Sequence, residues 1–484
     1  MKLWRFCAGF GSSRRLTVKG VSEMGIAAVP RYLGQDFSGA PPGHRFGLYF
    51  PYWQDTTWEA DSNQKTAALK QVIGLDQSCQ RQIKALRQRQ AALAECCAPE
   101  ILILPAISTA PFMTGTGMEH PLENGFAFLN PYGLPYLPGS GVKGVLRRAA
   151  EELALGFYGD TGGWDIVSLW WLFGFEPDSV YLTGPSDRMP PAQREEAERW
   201  QDAYRNPETH DAVPRDRLEA LIEATLNGEQ RQRYREQPLL LLDALMASQK
   251  LRDAVRNRGS LRYWDVIPDP AGGRLAVDIM TPHYGDYYQG NATPHDSGQP
   301  NPILFLTVPP GSRFEFFVQC DPAALPESLK DSWKILLEAA FRHAFEWLGF
   351  GAKTAVGYGQ FPSDALEKAR AEREAAVQRR QEAEKKAREE ADHQKNLAAM
   401  SPLDRAIAEV VAAAPQGQHR YKAILNALKQ GRWSGDEARQ AAEHLRHLMA
   451  EDRVWRIKSE KKKPDKDEPY QATLAVLAYL EGKK

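Results

Sequence analysis

Pro135-Tyr136-Leu137-Pro138-Gly139-Ser140-Gly141-Val142-Lys143-Gly144-Val145-Leu146-Arg147-Arg148 begins as a stiff, proline-bounded turn, becomes glycine-rich and runs straight into a helix. Apolar residues recur at Val142, Leu146, Ala149, Ala150 and Leu153, the spacing of one buried helical face. Lys143 and Arg147 are four apart and share another face of that helix. Free backbone N–H groups at a helix start, the positive end of the dipole and close-lying cations together suit phosphate. Glycines let the backbone approach a ligand that a Cβ would keep away. Gly139, Ser140, Gly141, Lys143 and Arg147 are therefore candidate phosphate-binding residues. A purely structural reading stands beside this one. Arg147 and Arg148 precede Glu151 and Glu152 by four residues, and i,i+4 pairs would make them a solvated face.

A second glycine-rich stretch, Leu348-Gly349-Phe350-Gly351-Ala352-Lys353-Thr354-Ala355-Val356-Gly357-Tyr358-Gly359-Gln360-Phe361, follows a helical pattern over 331–348. Trp333, Leu337, Ala340, Phe341, Ala344 and Leu348 form its apolar stripe. A nucleotide-binding P-loop needs G-x-x-x-x-G-K-[ST] between a strand and a helix. Here Ala352 precedes Lys353, Trp347 stands where the first glycine belongs, and the helix comes before the loop, so a P-loop is rejected.

Taken together, the two stretches resemble the RAMP superfamily of CRISPR–Cas proteins. The second is similar to the C-terminal glycine-rich loop of that superfamily. Between them, the run 275–290 (LAVDIMTPHYGDYYQG) followed by 302–308 (PILFLTV) is similar to the sixth-subunit family of type III-B (Cmr) effector complexes. The run 120–140 (HPLENGFAFLNPYGLPYLPGS) fits the same family, and the resemblance covers about 105–361. It implies an α+β fold with a ferredoxin-like, RRM-like βαββαβ core. It also implies an RNA-binding structural subunit in antiviral defence rather than an enzyme, with nuclease activity belonging to other subunits. Such a subunit caps the backbone of the complex near the 3′ end of the guide RNA. Its partners would be guide RNA (crRNA), target RNA and the other Cmr subunits, including the backbone RAMP subunit. No cofactor or metal is implied. In the second site, Gly351, Lys353, Thr354, Gly357 and Tyr358 would lie against phosphates, with little base readout. The rival is a RAMP-type endoribonuclease that processes or cleaves RNA.

The chain has 484 residues, 43% hydrophobic and 25% charged, with a formal net charge of −1. That balance argues against coating nucleic acid indiscriminately, but leaves room for a local basic groove. Cys7, Cys79, Cys96, Cys97 and Cys320 show no C-x-x-C spacing and read as reduced thiols of a cytoplasmic protein. The apolar runs are too short to span a bilayer, and the N-terminus lacks the apolar core of a signal peptide.

Residues 1–100 read as an extension: loops and short strands to about 60, then two helices broken near Gly74. Arg81, Lys84, Arg87 and Arg89 form a basic face there that could touch RNA or simply be solvated. The core is expected over 101–361, opening with Ile101-Leu102-Ile103-Leu104-Pro105 as a buried strand. Within it, 186–260 is polar and proline-punctuated. It reads as a solvated excursion with helices near 191–204 and 214–227, and 239–259 returns toward a packed helix. Ile303 to Val308 and Phe314 to Val318 flank a Pro309-Pro310-Gly311-Ser312 turn and read as a hairpin. His283 and Tyr284, in a loop with Tyr287 and Tyr288, suit base stacking and equally an aromatic loop packed against a neighbouring subunit. His120 and His283 are the acid–base candidates under the endoribonuclease reading, while a lone histidine beside Glu119 is more often a structural hydrogen-bonder. Asp278 and Asp286 are the carboxylates a metal-dependent version would use. Residues 362–400, rich in Ala, Glu, Lys and Arg without a and d positions, read as one exposed helix acting as a spacer. Over 401–484, three helices followed by strand–turn–strand at 454–457 and 472–474 resemble a winged-helix domain.

Overall fold

Ile101-Leu102-Ile103-Leu104-Pro105-Ala106-Ile107 alternates two apolar faces, and the structure buries both. The computed structural model describes residues 25–281, 302–415 and 418–483. They divide into two units, 1–372 and 373–484. In the first unit α1 (Lys65–Val72) and α2 (Gln77–Cys96) precede β1 (Ile101–Ile107). Then come β2 (Phe128–Leu129), β3 (Leu134–Pro135), α3 (Gly139–Ala154) and α4 (Ile166–Phe173). The polar stretch supplies α5 (Pro191–Arg205), α6 (Arg215–Thr225) and α7 (Leu240–Ala247), among shorter turns. β4 (Leu261–Tyr263), β5 (Ala276–Met280), β6 (Ile303–Thr307), β7 (Arg313–Cys320) and α8 (Trp333–His343) follow. The break between α1 and α2 falls at Gly74, and Asp76 caps α2 by accepting the Cys79 N–H at 2.7 Å.

β1, β7 and β4 form an antiparallel sheet in that order, with Ile101 opposite Gln319 and Ile107 opposite Arg313. Pro105 is tolerated because β1 is an edge strand. Leu102, Leu104 and Ala106 of β1, with Phe314, Phe316 and Val318 of β7, face the main core against α3 and α8. Each fully buried large side chain there contributes about 1.5–3 kcal/mol. The alternate residues Ile101, Ile103 and Phe317 face the other way, packed with Trp264 and with Ala94 of α2. The order β1, α3, β4, β7, α8 is strand, helix, strand, strand, helix. The expected βαββαβ unit is thus one strand short among the described residues.

Two expectations for the first unit need correction. β6 pairs with β5 and β7 with β1 and β4, so Pro309–Ser312 carries the chain between two sheets instead of closing a hairpin. A turn signal fixes a reversal, not the partner of each strand. The stretch 186–260 is no solvated excursion: the packed helix expected over 239–259 is present as α7, and the segment before it buries side chains too. Trp200, Tyr204, Leu218, Leu221, Leu241 and Leu242 are buried in the same core as Trp170, Phe173 and Tyr181. The Tyr204 hydroxyl donates to the Leu242 carbonyl at 3.1 Å, and the Trp171 indole N–H to the Arg217 carbonyl at 3.1 Å. Trp200 and Tyr204 are four apart, a narrow stripe that the surrounding charges conceal.

The helix α9 (Ala365–Ala399) is the single long helix expected from its composition. The second unit contains α10 (Pro402–Ala412), α11 (Arg420–Lys429), α12 (Gly435–Glu451) and α13 (Glu468–Leu480). They pack around Ile424, Leu428, Trp433, Leu445, Met449 and Val476. Ala472-Thr473-Leu474 lies inside α13, so the strand–turn–strand of a winged helix is absent among the described residues. The apolar set Ala472, Val476 and Tyr479 has helical spacing, which outweighs the short β-like run. The polar run before α13 folds around buried Asp467, which accepts the Glu460 N–H and the Ser459 hydroxyl, both at 3.0 Å.

Candidate nucleic-acid interface

Pro138 starts α3 and Gly139 is its first residue. A Cβ on Gly139 would stand 2.3 Å from the Tyr263 carbonyl oxygen, so this glycine lets the helix start lie against the chain leaving β4. Its N–H donates to Asp265 Oδ1 at 2.8 Å. A carboxylate thus already occupies the positive end of the dipole. The Gly141 N–H is taken by the Pro138 carbonyl at 2.8 Å. Ser140 is exposed and Lys143 half-buried. Among the described residues Lys143 has no ion-pair partner.

Arg147 does not join them. Its side chain is 9% exposed, with Nε 2.9 Å from Glu151 Oε1 and a terminal nitrogen 3.1 Å from Glu176 Oε1 and 3.1 Å from the Gly174 carbonyl. Burial pushes the Glu151 carboxyl up, outweighing Arg147, which pulls it down. Arg148 pairs with Glu152 at 2.7 Å, and Glu152 in turn meets His343 of α8 at 2.7 Å. Burial works to raise Glu152, but hydrogen bonds from His343 and Arg148 hold it below its ordinary value. The i,i+4 pairing foreseen as the structural alternative is therefore present. The Arg147 pair is buried and the Arg148 pair half-buried rather than fully solvated, and Arg147 locks α3 to the Gly174 turn.

The second stretch is built differently. A single π turn, Ala344–Leu348, ends the helix begun by α8, and the chain then loops back. Gly351 (φ +91) and Gly359 (φ +65) sit where a Cβ would meet the Met113 carbonyl oxygen at 2.3 Å and the Phe350 carbonyl oxygen at 1.8 Å. The Ala352 N–H bonds to Met113 O and the Gly359 N–H to Pro111 O, both at 2.8 Å, which fixes the loop on the segment after β1. Lys353 is left-handed (φ 60) and opens a 3₁₀ turn, Thr354–Val356, closed by Gly357 at φ +93. A lysine there is strained by about 1–2 kcal/mol, and such strain clusters at functional sites. Among the described residues no backbone acceptor takes the amides of Lys353, Thr354 and Ala355. Lys353 Nζ lies 3.4 Å from Met280 Sδ and 5.6 Å from the centre of the Phe305 ring, with no carboxylate partner among the described residues. Tyr358 donates its hydroxyl to Asp278 Oδ2 at 2.7 Å, and burial with that bond pushes the phenol up to about 12.

The two stretches are anchored apart, the first on 263–266 and the second on 111–113 and the β5–β6 ribbon. Sequence reasoning missed Asp265 and the role of Asp278, since both pair across long sequence separations. His283, Tyr284 and Asp286 lie outside the described residues. His120 is half-buried, stacked on Phe46 at 3.6 Å between ring centres. Its Nδ1 accepts the Leu122 N–H at 3.2 Å, which leaves Nε2 to donate to the Phe46 carbonyl at 3.1 Å. Burial lowers its pKa. Both ring nitrogens are engaged, so this histidine pins two segments together and has no lone pair for a substrate.

The sequence pattern of the RAMP superfamily matches residues 108–361, more than half of the chain. The CRISPR system Cmr subunit Cmr6 of Pyrococcus furiosus is 26% identical over 260 residues, 51% of this chain and 64% of that protein. The chain thus spans a little under two thirds of that relative's length. Among solved structures, a chain of the type III-B Cmr-beta complex bound to cognate target RNA is 16% identical, with a TM-score of 0.31, covering 62% of this chain and 75% of that one. The crystal structure of Cmr6 from Pyrococcus furiosus is 23% identical, with a TM-score of 0.23, covering 54% of this chain and 97% of that one.

Proposed function

We propose that this chain, which belongs to the RAMP superfamily, is an RNA-binding structural subunit of a type III-B CRISPR (Cmr) effector complex in the cytoplasm. In this role it caps the backbone of the complex near the 3′ end of the guide RNA and contacts guide and target RNA. Its similarity to the sixth Cmr subunit supports the assignment. The observation that carries the RNA contact is the loop 349–359. There strained Lys353 keeps an ammonium with no carboxylate partner among the described residues, in a turn whose leading amides take no backbone acceptor among them. Amides in a tight turn with a neighbouring cation form an anion-binding concavity. Ser140 and Lys143 at the start of α3 add a second, weaker contact; Arg147 belongs to the packing of α3. Sequence would be read by guide–target pairing, with the protein holding the backbone. His120, with both nitrogens engaged, supplies no acid or base to the endoribonuclease alternative.

The test is binding of the full chain to a labelled single-stranded RNA over a salt series, comparing wild type with Lys143→Ala/Lys353→Ala. Two lost phosphate contacts should lower the slope of log K against log salt by about 1.4, at about 0.7 per contact on single strands. Unchanged affinity and slope would remove the phosphate role of both lysines.

A further inference from the structure

The sheet of the first unit has a second face, and α2 covers only part of it. At one end Ala94 closes over Ile101 and Phe317. Towards the other end the same face of β7 carries Arg313 and Glu315 instead of apolar residues. There helix and sheet part, leaving an open groove of about 750 Å³. One wall is the α2 stripe Gln77, Arg81, Lys84 and Gln88; the other is the 269–273 turn with Arg313 and Glu315.

The charges in this groove are not balanced. Arg87 lies 3.8 Å from Glu315 and donates to the Arg313 carbonyl at 3.2 Å, so that pair neutralises itself. Arg81, Lys84 and Arg313 are exposed and have no ion-pair partner among the described residues; Asp269 at the rim is their one opposing carboxylate. An excess of positive charge thus sits in a concave site on a chain of net charge −1. The rest of the lining is glutamine, proline, glycine and alanine, with Ile83 buried beneath. No aromatic or large aliphatic side chain is offered, and those anchor protein partners. Gln77 to Ala91 spans about 21 Å of helix at 1.5 Å per residue, enough for about four nucleotides, the low end of single-strand site sizes.

We propose that this groove, between α2 and the sheet, binds the phosphate backbone of a single RNA strand without base readout. The proposal rests on the RNA-binding reading above but on different residues. α2 lies outside the 108–361 match, so half of the site is supplied by this chain's own N-terminal extension.

The experiment measures fluorescence anisotropy of a 5′-labelled 20-nucleotide oligouridylate with the full chain, over a potassium chloride series. The variants are Arg81→Gln/Lys84→Gln/Arg313→Gln, Asp269→Asn and Lys143→Ala/Lys353→Ala. All the groove substitutions are of exposed side chains, and an unchanged thermal midpoint verifies the fold. The triple variant should bind at least about tenfold more weakly at 0.1 M salt, with a salt slope shallower by about 2, at about 0.7 per contact. Asp269→Asn should bind more tightly, a change of sign that a structural role would not produce. If the triple variant matches wild type while the lysine pair weakens binding, the groove assignment is overturned and the RNA-binding reading stands. If wild type fails to bind the oligonucleotide, both fall. If a polyglutamate peptide binds as tightly and is lost in the same triple variant, the groove serves an acidic protein segment and the RNA assignment is overturned.

Discussion

The two glycine-rich stretches look alike on the page and are built for different ends. In 135–148 the glycines belong to a helix, and the positive charge is drawn inward: Arg147 onto Glu151 and Glu176, the first N–H onto Asp265. In 349–360 the glycines belong to a loop with left-handed turns, and Lys353 keeps no carboxylate partner among the described residues. Glycine content therefore does not identify a phosphate site. What matters is whether amides and cations remain without protein partners once long-range pairs have formed.

The largest effect should come from a glycine of the second stretch, and a glycine of the first should give a small effect of opposite sign. Gly359→Ala places a Cβ against the Phe350 carbonyl at φ +65, and we expect a loss of more than about 3 kcal/mol from the left-handed penalty plus the backbone clash. Gly144→Ala, mid-helix with nothing within 4 Å of the added atom, should gain about 0.5–1 kcal/mol. Urea unfolding of both variants checks this. A destabilising Gly144→Ala would mean that the first stretch is not simply a helix.

Arg147 comes next. Arg147→Ala leaves Glu151 buried beside an unfilled site, and removing one partner of a buried ion pair costs about 3 kcal/mol. RNA affinity of the folded variant should stay at the wild-type value. Reduced affinity with unchanged stability would return Arg147 to the phosphate site.

These contrasts also mark what the sequence makes legible. Periodicity locates α3 and α8, composition locates α9 and a glycine marks the break at Gly74, because each is settled within a few turns of chain. The pairing of Arg147 and Arg148 with Glu151 and Glu152 is visible for the same reason, as an i,i+4 spacing. The burial of 186–260 is not visible. Before α7 it rests on a few spaced anchors such as Trp200, Tyr204, Leu218 and Leu221, inside a segment whose composition is polar. Nor is the division of β6 and β7 between two sheets, since strand partners are chosen by packing across the fold and not by the turn between them. The winged-helix expectation failed where the short β-like run Ala472-Thr473-Leu474 lies inside a longer apolar pattern of helical period. In the candidate site, the glycines and Lys353 could be picked out. Asp265 and Asp278 could not, because each acts on a residue far along the chain.

Asp278 provides the finest test of the comparison. Each stretch is held by one aspartate, but Asp265 caps a helix, whereas Asp278 holds a phenol. Tyr358→Phe removes one hydrogen bond to a charged acceptor and should cost about 1–2 kcal/mol at pH 8. The folded phenol titrates near 12, above the ordinary value of about 10 for an unfolded tyrosine. A raised folded pKa means that this contribution is fully present below pH 10 and is lost as the pH rises through 12. The stability gap between wild type and Tyr358→Phe should accordingly close between pH 10 and 12, with no such closure for Asp265→Ala, whose partner is a backbone amide. A gap independent of pH would mean that Tyr358 holds the loop by ring packing against Phe305, and that Asp278 is free to face the solvent side of the β5–β6 ribbon.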